Sequence, residues 1–144
     1  MSLAAATGKL PILPFGPQPI QVANFKVGEN IIKAEIADTK EKRTQGLGGR
    51  DSLASDSGMI FIFDKEDRYA FWMKSMKFPL DFVWIKDEKV VDFIKNAQAP
   101  KIGQKDSELP LYAPNQPIDS LLEVNAGFID SRNIKVGDDA KIVK

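Results

Sequence analysis

At 144 residues the chain is sized for one domain, and its 20 basic and 20 acidic residues cancel, so no global field draws it to nucleic acid or acidic lipid. It contains neither histidine nor cysteine. That excludes Ser-His-Asp and Cys-His catalysis, zinc held by those ligands, and disulfides. Carboxylate, lysine, tyrosine and serine-lysine chemistry remain, beside an oxygen-ligated metal or no catalysis at all.

The first 19 residues hold Pro11, Pro14, Pro17 and Pro19 with Gly8 and Gly16. Proline at this density supports neither helix nor central strand, so residues 1–19 read as a proline-rich arm. Met1-Ser-Leu3 reads as a cloning scar, and a native signal peptide is expected to be missing ahead of Ala4. Residues 20–144 are expected to form one β-rich domain.

Ile20–Val27 predicts a strand, Gly28-Glu-Asn30 a turn, and Ile31–Ala37 a second strand. In the latter Ile32, Ala34 and Ile36 share one face and Lys33 and Glu35 the other. Asp38, with Glu41 three residues on, resembles a capping box. A short helix is expected from Thr39 to about Gln45, stopped at Gly46. Gly46–Arg50 reads as loop. Gly58–Phe63 is apolar on both faces, as in a strand buried on both sides.

Asp64–Asp67 is expected to be a charged turn, with Arg68–Met73 returning as a strand. Leu80–Lys86 and Lys89–Lys95 predict a hairpin around Asp87-Glu88. Leu80, Phe82 and Trp84 share one face of it, Asp81, Val83 and Ile85 the other. Residues 96–117 form a long loop, of a length that is often functional. Leu121–Ala126 is another strand, Gly127–Arg132 a helical turn, and Val136-Gly-Asp138 leads into a last strand ending at Val143. The sum is mainly β: a jelly-roll-like sandwich or a partly open β-barrel with one short helix.

Several motifs recur in order: Arg43-Thr-Gln-Gly-Leu-Gly-Gly-Arg50, Gly58-Met-Ile-Phe-Ile-Phe63, Phe71-Trp-Met-Lys-Ser-Met76, Pro79-Leu-Asp81, Leu122-Glu-Val-Asn-Ala-Gly127 and Gly137-Asp138. Over about Ile20 to Val143 the chain resembles the uncharacterised bacterial and archaeal family known as domain of unknown function 192. The resemblance implies a mainly β, barrel-like or jelly-roll-like fold and an exported protein, and it brings no activity. Gly48 stands where the family usually has methionine, and Ser75-Met76 where it has Asn-Thr. The long loop lacks the cysteines that some members carry there.

Charged residues set in or beside apolar strands need partners or a function. Arg43, Arg50, Lys74, Asp81 and Glu123 are therefore the candidate ligand-binding set, with Trp72 as an aromatic platform. They are expected to line a polar pocket at one end of the sheet, where the Gly46–Arg50 loop, the Lys74–Asp81 turn and the Glu123 strand converge. The competing arrangement pairs these charges with one another, as Arg50 with Glu123 or Lys74 with Asp81. Met59, Met73 and Met76 read as core fillers before soft-metal ligands. No cofactor or metal is expected.

The preferred function is an exported or cell-envelope accessory domain binding a small polar ligand or an envelope protein partner. One alternative is a glycosidase-like hydrolase with Asp81 and Glu123 as its carboxylates. The other is a purely structural interaction domain. A carboxylate with a raised pKa in an open cleft favours the enzyme, whereas two paired and closed carboxylates favour binding or architecture.

Overall fold

A computed structural model describes residues 19–144, so the arm expected over residues 1–19 lies, but for Pro19, outside the described residues. The chain forms β1 (Gln21–Val27), β2 (Asn30–Ala37), α1 (Lys40–Gln45), β3 (Ser57–Asp67), β4 (Leu80–Lys86), β5 (Lys89–Ala97), β6 (Ile118–Asn125), α2 (Phe128–Ser131) and β7 (Ala140–Val143), with a 3₁₀ turn at Asp106–Glu108. The strands make one curled sheet in the order β5-β4-β6-β3-β2-β1-β7. Among the described residues only the β2–β3 pair is parallel, because α1 and the following loop carry the chain back to the starting end before β3.

The sheet curls until its outer strands meet at one end. The amides of Val90 and Ala140 donate to Asp138 and Glu88 across that seam, at 2.9 Å each. Elsewhere the seam stays open, which makes a half-barrel. The expected partly open barrel is therefore observed, with two short α-helices among the described residues where one was expected.

The central strands β4, β6 and the first half of β3 are buried on both faces, and strand parity assigns residues to them. Val83, Ile85, Ile60, Leu122 and Val124 pack with Phe25 and Ile32 inside the curl. Phe82, Trp84, Met59, Phe61 and Leu121 face the other way, beneath the loops after α1, after β3 and after β5. That second layer includes Met73 and Met76, so the three methionines singled out above are core residues.

Three local expectations need correction. The helix cap is Thr39, whose Oγ1 accepts from the Lys42 amide at 3.2 Å. Asp38 instead pairs with Lys42 one turn on, at 3.8 Å. Asp64–Asp67 is no turn: β3 continues through it, and after a register shift Asp67 pairs with Ile118. Arg68–Met73 forms no strand, and Phe71 makes only an isolated bridge with Tyr112. The hairpin around Asp87-Glu88 is as expected, with both residues left-handed (φ 52° and 61°), the conformation of a type I′ turn.

Candidate functional site

A cleft of about 340 Å³ opens over the face of the two central strands, β3 and β6. Its floor is Phe61 of β3 and Glu123 of β6. One wall is α1 and the loop after it, from Lys40 to Gly48, and the other is the Ala70–Met76 segment. The α1 wall ends at Gly46, where φ is 48° and a Cβ would lie 3.3 Å from the Phe61 ring. Glycine thus lets the helix stop directly above the cleft floor.

Glu123 is the central feature. It sits on a core strand between Met59 of β3 and Phe82 of β4 and is 7% exposed. Among the described residues no cation or donor compensates its charge, so burial alone pushes its pKa from 4.5 to about 8. At neutral pH it is mainly a neutral carboxylic acid, able both to donate and to accept. A buried carboxyl without a partner is costly, and it points into open space that a ligand atom can fill.

The cleft mouth is cationic and aromatic. Lys40, Arg43 and Lys74 line it, and Glu123 is its one acidic lining residue among the described residues. Arg43 donates one edge of its guanidinium to the Ile62 carbonyl at 2.8 Å and lies over Phe63. Lys74 lies 5.5 Å from the centre of the Trp72 ring and 3.2 Å from Asp106. Trp72 is 44% exposed, an unusual exposure for so large an apolar side chain. Trp72 and Lys74 also line an adjoining hollow with Thr44 and Ser75.

Four of the six expected residues, Arg43, Trp72, Lys74 and Glu123, therefore meet at one cleft, on a face of the sheet and not at its end. The other two do not. Arg50 forks onto Glu35 of β2 at 2.5 and 2.9 Å, not onto Glu123. Asp81 is fully buried, and it binds no lysine. Its carboxylate accepts from the backbone amides of Asn96, Gly127 and Ile129 at 2.8, 3.2 and 2.9 Å. It ties the end of β5 and the start of α2 to β4.

Asp81 pairs with Val124 and Phe82 with Glu123, so the two carboxylates point to opposite faces of the sheet. They cannot flank one glycosidic bond, and the two-carboxylate hydrolase is corrected on that ground. Lys40 and Thr44 are cleft residues that sequence reading missed. Lys40 and Thr44 follow from the α1 periodicity, one turn apart on the helix face that carries Lys40.

A larger hollow of about 500 Å³ occupies the open seam of the barrel, lined by Phe25, Ile60 and Ile142 with Asp87, Glu88 and Asp119 at its rim. Glu66, Asp87 and Asp119 bring three carboxylates together there. Two of these acids are already engaged. Asp119 accepts from the Asp87 amide and the Ser120 hydroxyl, both at 2.9 Å, and Glu66 pairs with Lys86 at 3.2 Å. The smaller cleft is the better site because the Glu123 carboxyl, which has no hydrogen-bond partner among the described residues, opens into it.

The family model for DUF192, described as "Uncharacterized ACR, COG1430", matches residues 22–142, and the chain belongs to that family. No curated protein sequence matches the chain. Among solved structures, a protein of Sinorhizobium meliloti 1021 described provisionally as a transcription regulator superposes with a TM-score of 0.76 at 23% identity, covering 88% of this chain and 98% of that one. A protein of unknown function from Novosphingobium aromaticivorans DSM 12444 gives 0.71 at 25% identity, with 98% of each chain covered. The first likeness is one of fold alone.

Proposed function

We propose that this member of the DUF192 family is a binding domain that holds a small polar ligand in the cleft above Glu123. The observation that carries the reading is the Glu123 carboxyl, buried on a core strand, unpartnered, and open to the cleft. Binding sites of this kind combine a preformed concave surface with a few polar groups that fix orientation. The exported, cell-envelope setting implied by the family resemblance is part of the same proposal, and fractionating cells that express the gene from its native locus tests it. Nucleic-acid binding is not adopted, since basic and acidic residues balance and the cleft suits a small molecule.

One observation favours a second reading. A carboxylic acid held neutral near pH 7 in an open cleft is also a competent single general acid. Turnover of a bound compound that vanishes in Glu123→Gln would establish it.

A thermal-shift screen of sugars, organic acids, nucleotides and peptidoglycan fragments tests the proposal, run on wild type, Trp72→Ala and Glu123→Leu. A cleft ligand raises the wild-type melting temperature by mass action and raises that of either variant much less. Equal shifts in all three proteins would place the binding elsewhere and refute the reading.

A further inference from the structure

We infer that the ligand of the Glu123 cleft is an anionic monosaccharide, a single sugar ring carrying a carboxylate or a phosphate. This rests on the cleft being a binding site and adds the class of molecule that it takes.

Three features of the lining lead there. The first is size. At about 340 Å³ the cleft above Glu123 lies at the small end of ligand pockets and has room for one ring, with the adjoining hollow beside Trp72 and Ser75 open to a substituent of that ring. The second is the half-exposed Trp72 ring, which lines the cleft beside polar side chains and has the Lys74 ammonium 5.5 Å from its centre. A flat aromatic face with polar neighbours suits a sugar, whose ring has an apolar CH face and a hydroxyl edge. The buried Glu123 carboxyl supplies both a donor and an acceptor for that hydroxyl edge.

The third feature is charge. With Glu123 protonated, the charged lining residues are Lys40, Arg43 and Lys74. Asp106 offsets part of the Lys74 charge. Arg43 uses one edge on the Ile62 carbonyl, and Lys40 forms no ion pair among the described residues. On a chain with no net charge this is a local positive site, and it selects an anion. An ionised carboxylate at the floor would oppose such a ligand, so the protonated form of Glu123 is the one that binds.

The test is NMR titration with D-glucuronate, glucose 6-phosphate, glucose and inorganic phosphate, each on wild type, Glu123→Gln, Glu123→Leu and Trp72→Ala, with circular dichroism confirming that each variant is folded. One or both anionic sugars are expected to shift signals of Gly46–Gly48, Trp72 and Glu123. Glucose and phosphate should each bind about tenfold more weakly or worse, the worth of one lost charged or stacked contact. Glu123→Leu and Trp72→Ala should each cost a similar factor. Wild-type affinity should fall as pH rises through about 8, and Glu123→Gln should hold its affinity across that range.

Glucose binding the cleft as tightly as glucuronate would overturn the anionic class and leave the site. Phosphate binding as tightly as glucose 6-phosphate would overturn the sugar. If none of the four binds while another compound of the wider screen moves the cleft signals, the sugar assignment alone falls. If nothing in either set moves them, both the assignment and the binding site fall.

Discussion

Asp81 and Glu123 are the two buried acids of the described residues, and their environments give them opposite tasks. Asp81 meets three backbone amides that converge from two elements. Its charge is satisfied and closed, as in a structural tie. Asp81→Ala leaves those amides without an acceptor and is expected to destabilise the protein by roughly 3 kcal/mol or more, read from urea unfolding. A loss below about 1 kcal/mol would mean that the three bonds are replaced by water at no penalty.

Glu123 has no hydrogen-bond or ion-pair partner among the described residues, and its raised pKa links folding to pH. The unfolded carboxyl titrates near 4.5 and the folded one near 8. Between these values the native state holds the extra proton, so the contribution of Glu123 to stability is full below 4.5 and declines as pH rises to about 8. The total decline is on the order of a few kcal/mol. Glu123→Gln carries no titrating group and should lose this slope, becoming the more stable protein at alkaline pH. Parallel pH-stability curves for the two proteins would show that Glu123 titrates normally.

At the scale of elements, alternation made most strands legible. β2 and β4 present the faces that their apolar periods predict, and Asp81 falls on the face of Val83 and Ile85 as expected. Alternation carries no information on where pairing stops. The charged run Asp64–Asp67 fits a turn equally well, yet it stays extended, because its exposed edge solvates the charges while the backbone reaches Ile118. The same limit hid the loop character of Arg68–Met73, whose apolar residues pack on the sheet without joining it. Partner choice was equally illegible. Arg50 finds Glu35 and Lys74 finds Asp106, contacts set by loop paths that composition does not encode. The cleft was nonetheless foreshadowed, since a glutamate within an apolar strand and a tryptophan beside a lysine are both departures from core patterning.

The β4–β5 hairpin offers a test at this scale. Asp87 and Glu88 both sit in the left-handed region, which disfavours residues with a Cβ. Replacing the pair by Asn-Gly relieves the strain and keeps the backbone amide of residue 87 on Asp119. The double variant should be more stable by about 1 kcal/mol, measured by thermal unfolding. A destabilised variant would mean that the two side chains hold the turn themselves.

For the whole molecule, one sheet carries two apolar layers, and the central strands belong to both. Leu121 and Leu122 are adjacent, fully buried, and face opposite layers. Leu121→Ala and Leu122→Ala should each cost about 2–5 kcal/mol, in a single cooperative transition, because neither layer persists without the strands that it shares. Two separable transitions would show that the loop-covered layer melts on its own. This shared architecture also rigidifies the cleft floor. Glu123 and Phe61 lie on the two central strands, whereas the cleft walls come from α1 and loops. A fixed floor with adjustable walls suits a site that grips a small ligand.

The most direct measurement follows the Glu123 carboxyl carbon by NMR as pH is raised, with and without D-glucuronate. A midpoint near 8 in the free protein, displaced upward when the sugar acid is present, is the expected result. A midpoint near 4.5 that the ligand leaves unmoved would contradict it, since the carboxyl would then be solvated and the cleft would have no unmet group at its floor.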